Sequence, residues 1–242
     1  MNLKRFCMTM PPESIAPPII WERIRSVLKE HDLLPEKIIG YDKKYSNDMN
    51  KFFSKYPESI NFKTEQLKIY SSLICSGDII KTYIDEKVII DNIWDDIVHN
   101  ISDCNLLQAY ICDIIYEEWQ NTEDIRYYIG LDRDISQASL CHNNLPPPLD
   151  RMIIDTSRNP GRYRFRQGYL EAVGSTMWLG DEFWKLVGEH RRDALLAADW
   201  AEVREVAPGI LRIQVAPEPF VDDSTAELQN RLRALLYPEI AD

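Results

Sequence analysis

The sequence predicts an α+β fold, a mixed and largely antiparallel sheet packed against several helices in a single domain, on three observations. Short apolar runs are bounded by proline and glycine, amphipathic stretches of helical period lie between them, and the two do not alternate in a regular βαβ rhythm. Across 242 residues, 45% hydrophobic content and six tryptophans supply enough apolar surface for a full core.

Residues 3–8 are an apolar run stopped by Pro11-Pro12, which reads as an opening strand. Pro17 and Pro18 suit a helix start, and Ile20, Ile24, Val27 and Leu28, with Leu34 beyond them, mark its apolar face. Helical readings also fit residues 46–55 and 64–75. Residues 79–96 fit either a strand or a buried helical turn, Val88-Ile89-Ile90 being compatible with both, and residues 106–116 read as a long strand. Further on, Met152-Ile153-Ile154 reads as a short strand, Asn159-Pro160-Gly161 as a tight turn, and residues 169–173 and 175–179 as sheet segments. Asp181 is placed to cap a short helix over residues 182–187. Residues 203–206 and 210–215 flank Pro208-Gly209 as a hairpin. Ser224 or Thr225 then caps a last helix in which Leu228, Leu232, Leu235 and Leu236 share a face, ended by Pro238.

Composition changes at the Pro146-Pro147-Pro148 run. Before it isoleucine, lysine and asparagine dominate; after it arginine, alanine and glycine take over. Residues 1–150 hold 16 basic and 24 acidic residues, against 12 and 15 in 151–242, so most of the acidity lies in the first part. One domain with a proline-stiffened connection is the expectation.

A net charge of −11 argues against direct nucleic-acid binding, because phosphate neutralisation by Lys and Arg supplies most of that affinity; a basic partner is attracted instead. The first residues carry no leader-like apolar run, and no uncharged apolar stretch approaches the ~18 to 20 residues needed to span a membrane, so a cytoplasmic protein without a membrane partner is expected. Five cysteines at irregular spacing, without a C-x-x-C pair, suggest reduced thiols and not a disulfide framework.

Chemistry-bearing motifs are scarce. There is no Walker loop, no G-x-G-x-x-G, no G-x-S-x-G and no H-E-x-x-H, so no cofactor and no metal are expected. The closest metal-like grouping, Cys104, Cys112, Cys141 and His142, lacks the tight ligand pair that zinc sites show, and reads as thiols of the fold beside a surface pair. Asp95-Asp96, Glu117-Glu118, Glu123-Asp124 and Asp222-Asp223 have the residue types for acid–base or metal chemistry, although adjacent acids more often form a solvated face. Arg158, Arg162, Arg164 and Arg166 stand out in an acidic chain. They either fork onto carboxylates of a partner or pair with this protein's own acids. Trp178, Phe183 and Trp184 read as core before interface.

Three strings carry a family resemblance. They are Pro146-Pro147-Pro148-Leu149-Asp150-Arg151-Met152-Ile153-Ile154-Asp155-Thr156-Ser157-Arg158-Asn159-Pro160-Gly161-Arg162, then Glu171-Ala172-Val173-Gly174-Ser175-Thr176-Met177-Trp178-Leu179-Gly180, and then Leu228-Gln229-Asn230-Arg231-Leu232-Arg233-Ala234-Leu235-Leu236-Tyr237-Pro238. They resemble bacterial immunity proteins of polymorphic-toxin systems, in particular the type VI secretion group paired with nuclease toxins of the restriction-endonuclease fold. The resemblance covers residues from about 106 onward; residues 146–242 are the family-like part and 1–145 the variable one. It implies a non-enzymatic antitoxin that binds and neutralises a cognate nuclease. On that reading Asp95, Asp96, Glu117, Glu118, Glu123 and Asp124 are the acids expected to face the toxin's basic cleft, with Arg158 and Arg162 as further contacts. Two rivals from other classes remain, a metal-dependent hydrolase using paired carboxylates and a self-assembling structural or regulatory subunit.

Overall fold

The computed structural model describes residues 4–11, 14, 17–31 and 93–238, and between them the backbone of segments 38–39, 44–45, 60–63, 67–73 and 80–86. The expected helix over residues 46–55, Leu34, Cys75 and the Val88-Ile89-Ile90 run lie outside the described residues.

The elements run as follows. Strand β1 (Lys4–Met10) precedes helix α1 (Pro17–Glu30); strands β2 (Ile38–Ile39), β3 (Lys44–Tyr45), β4 (Ile60–Lys63), β5 (Leu67–Leu73) and β6 (Ile80–Glu86) come next. Helix α2 (Ile93–Asn100), strand β7 (Gln108–Asp113) and helices α3 (Ile114–Asn121) and α4 (Ile125–Gly130) follow, then two ribbons, β8 (Leu140–His142) with β9 (Met152–Ile154) and β10 (Arg164–Arg166) with β11 (Tyr169–Glu171). Strand β12 (Thr176–Gly180), helices α5 (Asp181–Val187) and α6 (Glu189–Leu196), the hairpin β13 (Glu202–Ala207) and β14 (Ile210–Gln214), and helix α7 (Ala226–Leu236) complete the chain's α+β architecture.

Ten strands form one sheet in the order β13-β14-β12-β7-β1-β6-β5-β4-β2-β3, and its described ladders are antiparallel. Strand β12 binds β7, so residues after the proline run complete a sheet opened by β1. The composition shift therefore falls on the tip of the β8–β9 ribbon and not on a break in the sheet.

Pleating sends alternate side chains to opposite faces. Phe6, Met8 and Met10 of β1 and Trp178 of β12 pack under α1 and α2 with Ile20, Ile24 and Ile97. Cys7, Tyr110, Met177 and Leu179 face the other way, onto Phe183, Trp184, Leu232 and Leu236 of α5 and α7. With both faces covered, β12 is buried at every residue, which is why it reads as a continuous apolar run. A third cluster joins Tyr116 and Trp119 of α3 to Tyr128 of α4, Ile154 of β9 and Phe220. Trp178, Phe183 and Trp184 are thus core side chains.

Four expectations need correction. Residues 67–73 are strand and not helix: paired with β4 on one side and β6 on the other, they gain two ladders of hydrogen bonds that outweigh a weak helical period. The strand expected over 106–116 stops at Asp113, whose carboxylate accepts the Tyr116 N–H at 2.8 Å and so starts α3. Asp181 is the first helical residue and not the cap. Gly180 holds that position, where a Cβ would collide with the Leu106 carbonyl oxygen. Ahead of the last helix, the capping carboxylate is Asp222, which accepts the Ser224 N–H at 2.9 Å and opens a 3-10 turn over Asp223–Thr225; Thr225, at the N-cap of α7, makes no side-chain cap bond. The Pro208-Gly209 hairpin forms as read, with Gly209 at φ +74°.

Trp178 ties β12 and β1 to α2: its ring meets Phe6 edge-on at 5.3 Å and its indole N–H donates to Asp95 at 2.8 Å. Replacing it with alanine is expected to cost about 3–5 kcal/mol. The denaturant midpoint measures this, and a loss below about 1 kcal/mol would show that the ring does not anchor the core.

Candidate interaction site

The string that carries the family resemblance, residues 155–162, folds against the C-terminal end of α3. A helix leaves its last carbonyls without intrahelical donors. Here Asn159 Nδ2 donates to the Gln120 carbonyl at 2.8 Å, and Asn121 Nδ2 turns back onto the Glu117 carbonyl at 2.8 Å. The same two helix residues read the loop backbone. Gln120 Oε1 accepts the Gly161 N–H at 2.6 Å, and Asn121 Oδ1 accepts the Tyr163 N–H at 2.7 Å. Gly161 lies so close that a Cβ would stand 2.6 Å from Tyr116 Cε1 and 2.8 Å from Gln120 Cγ. The expected tight turn is present, Arg162 N–H donating to the Asn159 carbonyl at 3.2 Å.

Arg233 of α7 clamps the loop from the other side. Buried to 6% exposure, it donates to the carbonyls of Pro160 at 3.1 Å and Arg162 at 2.6 Å, and pairs with Glu171 at 2.9 Å. Glu171 also pairs with Arg166 at 2.8 Å. Each residue of this set satisfies a buried polar group that would otherwise be stranded, so the loop, α3 and α7 are held as one unit.

Between this loop, β9 and the start of α4 lies a cleft of about 280 Å³, lined by Asn121, Glu123, Asp155, Arg162, Tyr163 and Arg164 among others. It brings charges of both signs to one opening. The Ser157 side chain and backbone N–H hold the Asp155 carboxyl below the usual carboxylate range, helped by Arg158 and Arg164. Such a cleft can receive a charged or hydrogen-bonding side chain of a partner.

The sequence-predicted residues fall into two groups on opposite faces of the sheet. On α2, Asp95 accepts the Trp178 indole N–H and pairs with Arg204 and Arg212, while Asp96 pairs with His31 at 2.8 Å. On α3, Glu117 is buried at 7% exposure, paired with Arg5 at 3.1 Å and accepting the Tyr110 hydroxyl at 3.0 Å. Glu118 accepts the Tyr127 hydroxyl at 2.7 Å. Asp124 caps α4 through the N–H groups of Arg126 and Tyr127. The N–H groups of Tyr127 and Arg126 hold its carboxyl below the usual range. Glu123 is exposed at the cleft mouth. The structure thus brings Glu123 and Arg162 to one cleft and leaves Asp95 and Asp96 elsewhere, on α2. Arg158 is exposed; Arg162 Nη1 donates to the Asn159 carbonyl at 2.8 Å, Arg164 reaches the Ser157 carbonyl at 3.4 Å, and Arg166 pairs with the protein's own Glu171.

Among the described residues, three potential metal ligands converge in one place, and they are Cys7, Cys112 and Glu117, all buried. Cys112 therefore keeps company with Cys7 and Glu117 instead of Cys104, Cys141 and His142. Burial pushes the Cys112 thiol well up, and Arg5 already balances the Glu117 charge, so the set as it stands is a neutral, hydrogen-bonded group of the core. Burial likewise pushes the Cys104 thiol up to about 11. Gln120, Asn121, Glu171 and Arg233, the residues that build the site, were not singled out from sequence. Asn121 at a helix end followed by Thr122 signals only a stop, and its partners lie about 40 residues on.

No protein-family model and no curated protein matches the chain. Among solved structures it is similar to the Pseudomonas aeruginosa T6SS protein PA0821, at 12% identity and a TM-score of 0.48, over 98% of this chain and 74% of that one. A likeness at this level carries no argument about function. Among the described residues no helix is long and apolar enough to cross a membrane.

Arg233→Met is expected to destabilise the fold by about 3–5 kcal/mol, because Glu171 would keep a buried charge with half its partners gone. Arg158→Ala, on the exposed side of the same loop, should change stability by no more than about 0.5 kcal/mol. Equal effects in chemical denaturation would mean that the loop is not clamped from the α7 side.

Proposed function

We propose that this chain is an immunity protein that binds and neutralises a cognate nuclease effector, of the kind delivered by type VI secretion systems. The observation that carries the reading is how the adjacent carboxylates are used. Asp95 and Glu117, which a hydrolase would need free in a cleft, are each held by arginine and an aromatic N–H or O–H donor inside the fold. Their neighbours Asp96 and Glu118 are bonded to His31 and Tyr127 at the surface. Carboxylates committed to structure make poor general acids and bases, whereas the remaining negative charge, part of a net −11, favours encounter with a basic protein. The three sequence strings that resemble the immunity family supply the class of partner. Inhibition would be stoichiometric, one surface covering the nuclease's DNA-binding cleft, with no cofactor consumed.

Co-expression with the product of the adjacent reading frame is expected to give a complex that survives gel filtration and no longer cleaves DNA. Charge reversal should separate two roles: Glu123→Lys weakens the complex by about 2 kcal/mol or more while the chain melts normally, whereas Asp95→Lys lowers the melting temperature. Unimpaired cleavage with no complex formed would sink the reading and return the hydrolase and self-assembly alternatives to equal standing.

A further inference from the structure

The segment from α3 to the end of the β8–β9 ribbon combines acidity with a concentration of exposed apolar side chains. Residues 117–155 hold eight acidic residues against three arginines. Of the twelve large hydrophobic side chains exposed among the described residues, six lie here: Tyr127, Ile129, Leu140, Leu145, Leu149 and Met152. Every residue of 144–152 is exposed, so the ribbon ends in a projecting tip carrying Leu145 at 49% and Leu149 at 62% exposure.

The tip is built and held. Asn143 Nδ2 donates to the Leu149 carbonyl at 2.8 Å, its Oδ1 accepts the N–H groups of Arg151 and Leu145, and the Leu149 N–H closes a turn onto the Pro146 carbonyl at 3.0 Å. Its base is tied to the acids: the Ile154 N–H donates to the Glu123 carbonyl at 3.0 Å, and Arg151 is close enough to help hold the Asp124 carboxyl down. A braced apolar tip loses little conformational freedom on docking, and exposed apolar side chains set among charges suit a protein interface.

We propose that this lobe is the docking surface for a basic protein with an apolar recess: Leu145 and Leu149 enter the recess, while Glu123 and its neighbouring acids meet the basic rim. The occupant follows from charge complementarity: with buried Glu117 set aside, seven acids against three arginines leave an excess of four negative charges on the segment, which repels a second copy of this acidic chain. The inference rests on the proposed neutralisation of a partner protein and assigns that role a surface, moving the apolar tip to the centre of the contact and the acids to its edge.

The test is titration calorimetry of the full chain against the product of the adjacent reading frame, at two salt concentrations. Leu145→Ser with Leu149→Ser is expected to weaken binding tenfold or more with an unchanged melting curve, and Glu123→Lys to weaken it and flatten the salt dependence. Leu196→Ser on α6, an equally exposed leucine outside the lobe, should leave binding as it was. Wild-type affinity in the leucine pair variant and in Glu123→Lys would overturn the assignment of the surface while leaving the neutralising role intact; failure of the unaltered chain to bind would remove both. A free chain that sediments as a dimer, and becomes monomeric in the leucine variant, would overturn the proposal by making the tip a contact between copies.

Discussion

Covering the sheet on both faces is the constraint from which the rest of this structure follows. Once β1, β7 and β12 lie between two layers of helices, water cannot reach the polar groups between them, and leaving one without a partner is costly. Trp178 reaches Asp95, Glu117 is held between Arg5 and Tyr110, and the Tyr237 hydroxyl donates to the Ala172 carbonyl at 2.6 Å. Acids that look available in the sequence are thereby drawn into the frame. Beside the sheet stands a lobe built on its own small core of Tyr116, Trp119, Tyr128, Ile154 and Phe220.

A hydrogen-bonded junction helps to seat that lobe. Gln120 and Asn121 end α3, the 155–162 loop caps them, and Arg233 with Glu171 binds the loop to α7. A charged residue buried this deeply is costly unless its partners are fixed, and here five groups fix one another. The arrangement gives the lobe a rigid seat, so that its exposed side chains keep a defined geometry before any partner arrives.

The fold was readable where local pattern and tertiary context agree. The spacing of Ile20, Ile24, Val27 and Leu28 marks α1 because its buried face is simple, and Pro208-Gly209 marks its hairpin because only a residue tolerant of positive φ fits the turn. Legibility failed where long-range pairing decides. Residues 67–73 have no helical commitment strong enough to resist two flanking strands, and Asp222 beats Ser224 and Thr225 to the cap by a turn geometry that spacing does not encode. For the site, the notable string was legible but its use was not. Arg162 and Arg166 look like hands extended to a partner, yet Arg166 is taken by Glu171, and Arg162 offers its own carbonyl to Arg233.

Gly161 shows what this division of labour means over generations. With no room for even a methyl group against Tyr116 and Gln120, it is tied to the frame, while the side chains of Leu145 and Leu149, a short way up the same chain, are exposed. Two proteins sharing the loop would share a chassis and could still differ at the exposed positions beside it.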